Sequence, residues 1–110
     1  MARVFVTSNR MRKDPHTREL KPIVDLRPAE QWGSLVAVFD HHMDPENADD
    51  MRIASERLKD FDPEQDFILP NGSPSATLAT GLILGEKARE VQVLVWDRIH
   101  LKYNLSEVIF

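Results

Sequence analysis

The sequence has no cysteine, which removes disulfides, thiolate metal centres and cysteine nucleophiles at once. It has no apolar run of about 18 residues, the length at which a membrane-spanning helix is read. The opening Met1-Ala2-Arg3-Val4-Phe5-Val6 is too short and too strand-like for a secretion signal, so no membrane association and a cytoplasmic location are expected. An excess of positive charge is missing too. With 14 Lys and Arg against 18 Asp and Glu the net charge is -4, which argues against broad, sequence-independent binding to nucleic acid. Three nucleotide and hydrolase signatures are also missing: no Gly-Lys-Ser/Thr of a Walker loop, no Gly-x-Gly-x-x-Gly and no Gly-x-Ser-x-Gly. There is no internal repeat and no low-complexity tract.

What is present is an ordinary globular composition, 42% hydrophobic and 29% charged over 110 residues. That length suits a single domain, 1–110, and leaves no room for separate substrate and cofactor domains. Residues 3–7 are rich in β-branched and aromatic side chains and read as a strand buried on both faces, ending at Ser8, Asn9 and Arg10. Residues 11–21 hold four further Arg or Lys residues without apolar periodicity. They read as a solvated loop, or functionally as an arm that closes on an acidic or phosphorylated ligand. Residues 23–26 are expected to be extended, and 27–33 to form one helical turn with Pro28 near its start, Gly33 at its end and Trp32 anchored on the core.

Residues 34–39 read as a second buried strand ending in Asp40, His41 and His42. Asn47 is positioned to cap a helix over 48–60 whose apolar face (Met51, Ile53, Ala54, Leu58, Phe61) is narrow enough to place it at the surface. A third strand, 67–69, leads through Asn71-Gly72 to Ser73-Pro74, an N-cap and first helical residue. The helix that follows, 74–87, is small or apolar almost all round. It is expected to be buried on more than one side, or on one side by a second subunit. Residues 91–96 form the most apolar strand, 97–100 turn it, 101–105 alternate as an edge strand, and 106–110 continue it or dock on the core.

Strands followed by helices and a closing hairpin predict an α/β sandwich with two main helices. Its sheet is mostly parallel, of about five strands, with an antiparallel edge hairpin. In open sheets of this kind ligands bind beyond the carboxyl ends of the strands, where Ser8, Asn9 and Arg10, Asp40, His41 and His42, and Asn71, Gly72 and Ser73 would converge. A helix start there offers free N–H groups and the positive end of the dipole. The hydroxyls of Ser73, Ser75 and Thr77 add donors, and Arg10 or Arg98 could supply the cation. The candidate ligand-binding residues are therefore Asn9, Arg10, Asn71, Gly72, Ser73, Ser75 and Thr77, set against the alternative of a left-handed turn with a good N-cap. No catalytic residue and no cofactor is expected. A serine-hydrolase reading of Ser73 or Ser75 lacks a base selected by spacing among His16, His41, His42 and His100.

Asp40-His41-His42 after a Val-rich strand resembles the signature of the DHH phosphoesterases, in which such residues help to hold divalent metals against a phosphodiester. That likeness makes Asp40, His41 and His42 the metal candidates, although the aspartate-rich motif of that family should follow the first strand, where this chain has Thr7-Ser8-Asn9-Arg10. Adjacent His41 and His42 would also point different ways on extended backbone.

Over most of its length the chain resembles short proteins encoded by tailed bacteriophages. Val4-Phe5-Val6-Thr7-Ser8-Asn9-Arg10, Gly33-Ser34-Leu35-Val36, Asp66-Phe67-Ile68-Leu69 and a final strand pair with Tyr103 carry that resemblance. It implies a phage accessory protein, acting in the host cytoplasm. Gly72-Ser73-Pro74-Ser75-Ala76 is similar to the Gly-His-x-Ser/Thr-Ala turn of viral ring-nuclease anti-CRISPR proteins, with Ser73 in place of the His. The loss of that general acid implies binding without cleavage. The expected function is binding of a phosphate-bearing nucleotide at the 71–77 turn, sequestering a host signal. The alternatives are a protein that inhibits a host enzyme through its surface, and a metal phosphodiesterase. A homo-oligomer is expected, through the 74–87 helix or the 101–105 edge.

Overall fold

The structure is a computed structural model that describes residues 1–109. Five strands make the main sheet: β1 (Arg3–Ser8), β4 (Ser34–Phe39), β5 (Phe67–Leu69), β6 (Glu90–Asp97) and β7 (Lys102–Ile109), in the order β4-β1-β5-β6-β7. β1 pairs in parallel with β4 and β5, and β5 with β6, whereas β7 runs antiparallel to β6 as the edge. Two helices, α1 (Ala48–Leu58) and α2 (Pro74–Gly85), complete the mostly parallel α/β architecture that the element order predicts. Phe110, the last residue of the expected 106–110 continuation, lies outside the described residues.

The direction of each crossover decides which face its connection covers. A right-handed step from β1 toward the β4 edge runs on the opposite face from the steps β4 to β5 and β5 to β6, which go the other way. The burial pattern agrees. Phe5, Phe39, Ile68, Val91 and Val93 face Ala54 and Leu58 of α1 and Ala76, Ala79 and Leu84 of α2. The alternate residues Val4, Val6, Leu69 and Leu94 instead meet Ala29 and Tyr103, with Leu26 and Trp32, which flank the short 3-10 turn Arg27–Gln31, packed beside them. Trp32 anchors that turn edge-to-face on Phe67, with ring centroids 5.4 Å apart. One face is therefore closed by two helices and the other only by a strap of about ten residues, 22–32.

Local chemistry starts the helices where it is expected to. Asn47 Oδ1 accepts from Asp49 N and Asp50 N and starts α1, with two acidic residues in the first turn to complement the dipole. α1 stops at Leu58 rather than at residue 60, and α2 at Gly85 rather than at 87.

Three expectations need correction. Residues 11–21 are not a plain loop: β2 (Met11–Lys13) and β3 (Leu20–Pro22) form an antiparallel hairpin. Asp14 builds its turn by accepting from His16 N and Thr17 N and pairing with Lys21. Strands of three residues with no buried side chain carry no alternation to read, and only the Asp-Pro-His-Thr turn marks them. Residues 23–26 are not a strand: after Ile23 N donates to Arg10 O at 3.1 Å they bend across the sheet face. α2, finally, is not buried on several sides within the chain: Leu78 is 70% and Leu82 74% exposed. A side chain at Gly81 would meet nothing within 4 Å. Among the described residues no helix is long and apolar enough to cross a membrane.

Candidate functional site

Three strand ends meet at the carboxyl rim of the sheet, where the chain leaves β1 for one face and leaves β4 and β5 for the other. Such a switch point opens a crevice. Here it is a hollow of about 320 Å³ lined by Ser8 and Arg10 after β1, His41, His42 and Met43 after β4, and Ser73 and Ala76 at the start of α2, with Asp44 and Pro45 at its margin.

Gly72 makes the turn that closes it. Its φ of +71° lies in the left-handed region that a side chain disfavours. A Cβ there would also sit 3.0 Å from Ser8 Cβ and Oγ and 3.1 Å from Arg10 Cγ. Glycine thus serves both the conformation and the close approach of β1. Ser73 then caps α2, its Oγ accepting from Ala76 N at 3.4 Å, and Pro74 begins the helix. Thr77 N is bonded to Ser73 O. The amide of Ser75 is left as a first-turn donor without a chain partner among the described residues.

The turn is tied to β1 by a buried hydroxyl. Thr7 Oγ1, fully buried, accepts from Asn71 N at 2.9 Å and lies 3.0 Å from both Asn71 O and Thr77 Oγ1. Asn71 Nδ2 donates to Ser8 O at 2.9 Å. Asn71 and Thr77 therefore spend polar groups on the scaffold, a consequence of β1 and β5 being neighbours that the sequence does not display. Of the remaining candidates, Arg10 and Ser73 line the hollow and Gly72 shapes it, while Ser75 is exposed beyond it. Asn9 turns to the other face of the sheet, into a separate hollow with Val6, Leu35 and Ala37. Arg98 sits in the β6–β7 turn and does not line the rim.

Ser8 takes the place expected of Asn9. It is 6% exposed, lines the hollow, and its Oγ makes no hydrogen bond to the chain among the described residues. Its signal in the sequence is weak: β1 runs one residue further than its apolar run, to a register with Phe39.

The histidine pair differs from expectation. Residues 41–42 occupy a turn, closed by Met43 N donating to Asp40 O, instead of extended backbone. The two rings accordingly stand edge-to-face, centroids 5.2 Å apart, and line the same hollow. Asp40 does not join them. Its carboxylate accepts from Arg57 Nη2 at 2.9 Å, and Arg57 also donates to Ala37 O and Val38 O. Asp40 thus fastens α1 to the end of β4. Among the described residues no group of three or more His, Cys, Asp or Glu is placed to hold a metal ion, and Asp40, His41 and His42 do not form one.

The hollow is rich in hydrogen-bond donors. One guanidinium, two imidazoles and a helix N-terminus face a single carboxylate, Asp44, whose Oδ1 is already engaged with Glu46 N. Open parallel-sheet proteins of the α/β class carry their ligand sites at such a rim, and fold and hollow together put this chain in that class. Within it, the family model described as Phage Pam3 gp32-like protein matches residues 2–109, and the chain belongs to that family. No curated protein and no solved structure matches the chain. The likeness of the 72–76 turn to ring-nuclease anti-CRISPR proteins is carried by none of these comparisons.

Proposed function

We propose that this phage-family protein binds a phosphate-bearing nucleotide with its phosphate in the rim hollow. The observation that carries the reading is Ser8: a hydroxyl on a residue 94% buried, without a chain partner, placed beside Arg10 and the start of α2. Among the described residues Ser8 Oγ has no chain partner to give up, so a phosphate oxygen in the hollow can accept from it, from Arg10 and from an imidazole N–H of His41 or His42. At about 320 Å³ the hollow is at the small end of ligand sites. It suits one phosphate and its sugar better than a dinucleotide. On this reading the nucleotide is held rather than cleaved, and in a phage protein that retention would deprive a host defence of its signal.

Isothermal titration in phosphate-free buffer with AMP, ATP and cyclic oligoadenylates tests this. Arg10→Ala removes a charge-assisted contact and weakens binding about tenfold or more, and Ser8→Ala weakens it by less. No heat from any of these nucleotides at millimolar concentration, or an Arg10→Ala protein that binds as well as the parent, overturns the reading.

A further inference from the structure

On the other face of the sheet the strap leaves a second hollow, of about 600 Å³. Its walls are apolar and partly aromatic: Pro28, Leu69, Pro70, Leu94, Trp96 and Leu101. Trp96 and Tyr103 stand edge-to-face across the β6–β7 pair, ring centroids 4.9 Å apart. Two polar groups of opposite habit enter this apolar slot. Tyr103 is 5% exposed, and its hydroxyl has no hydrogen bond to the chain among the described residues. Burial first, and then the charge of Asp25, push its pKa up, so it stays a donor. Asp25 lines the same slot and is held ionised, its pKa brought down to about 2 by the Arg27 side chain, so it is an acceptor only.

We propose that this slot binds a planar heterocycle bearing a hydrogen-bond acceptor beside a donor, the edge that a nucleobase presents, with the ring against Trp96. The phenol hydroxyl meets the ring acceptor and the Asp25 carboxylate takes the adjacent N–H. A purely aliphatic ligand would leave the Tyr103 hydroxyl unsatisfied. Rings of this kind stack on aromatic side chains with little dependence on which base they are. Occupancy of the slot does not depend on phosphate at the rim, because the two hollows lie on either side of the turn that starts at Asn71.

The test uses nucleosides, which have no phosphate, and follows the indole N–H signal of Trp96 by NMR in the full chain, assigned with Trp96→Phe. Adenosine is expected to shift that signal saturably. Purine riboside, which lacks the amino donor, should bind about tenfold more weakly. Tyr103→Phe, which keeps the packed ring, lowers adenosine affinity by a similar factor. Asp25→Ala, which removes the acceptor at an exposed position and does not endanger folding, makes adenosine and purine riboside bind alike. No shift with millimolar adenosine overturns the proposal, as does equal binding of the two nucleosides to the parent protein. Because inorganic phosphate and Arg10→Ala leave this signal unchanged, failure here is distinct from failure at the rim.

Discussion

Asp66 is the buried charge on which the sheet's amino-terminal edge depends. It is 1% exposed. Its Oδ1 accepts from Arg3 N at 3.0 Å, and its Oδ2 accepts from Arg3 Nη2 at 3.0 Å and Asp62 N at 2.9 Å. One carboxylate thereby fixes the start of β1, the turn before β5 and the side chain that lies over Phe5. Asp66→Asn keeps the shape and breaks the pattern, because all three neighbours are donors. Whichever way the amide is turned, its NH₂ faces an N–H. The better orientation leaves Arg3 N unsatisfied and removes the charge from the guanidinium contact. An unsatisfied buried donor costs about 1–3 kcal/mol. The lost ion pair adds less than a fully buried one would, because the Arg3 side chain is 34% exposed and screened by water. Together the loss is about 2–4 kcal/mol, which for a chain of 110 residues lowers Tm by about 9–17 °C. Urea denaturation followed by circular dichroism gives the number directly. Glu56→Gln, which removes an exposed pair with Lys59, serves as the control and leaves the midpoint unchanged. A loss below about 1 kcal/mol for Asp66→Asn would show that water reaches these donors and that the carboxylate clamps nothing.

The same substitution at two glycines should have opposite signs. Gly72→Ala forces a side chain into the left-handed region and against Ser8, costing about 1–2 kcal/mol and filling part of the rim hollow. Gly81→Ala, inside α2 with free space around it, stabilises by about 0.5–1 kcal/mol; denaturant midpoints that move the same way for both variants contradict the turn and helix geometry. Asp97 closes the β6–β7 hairpin, and its hydrogen bond to the His100 ring, helped by His100 N, Ile99 N and Asn104, holds its pKa at about 2 against an ordinary 3.8. A depressed folded pKa gives stability that is whole above the ordinary value and is lost as pH falls from about 4 to about 2. Amide protection factors at residues 102–104, taken against the intrinsic exchange rate at each pH, should therefore fall over that range in the parent but not in Asp97→Asn, and equal profiles refute the role.

The residues of the rim were legible as a set but not as individuals. Placing Ser8 to Arg10, Asp40 to His42 and Asn71 to Ser73 at one edge needs only the order of strands and helices, because parallel strands share a carboxyl end. Which of them face the hollow needs the neighbours. Thr77 has the same hydroxyl as Ser8 and Ser73, yet it is taken by Thr7, and the Asn71 amide is taken by Ser8 O, because β5 lies beside β1. Asp40 is likewise taken by Arg57, a residue 17 positions away. The tyrosine slot left no trace in the pattern, since Tyr103 reads as one more inward residue of an alternating strand.

Local physics written in the chain decides where its elements begin and end: Asn47 and Ser73 accept from the first turns they precede, Gly72 alone tolerates its φ, and runs such as residues 3–7 and 91–96 demand burial. Those interactions span a few residues, so the sequence contains both partners of each. The strand order, the strap on one face, the sharing of polar groups at the rim and the opening beside Trp96 are contacts between residues far apart in the chain. They exist only once crossover handedness and packing have chosen which segments become neighbours.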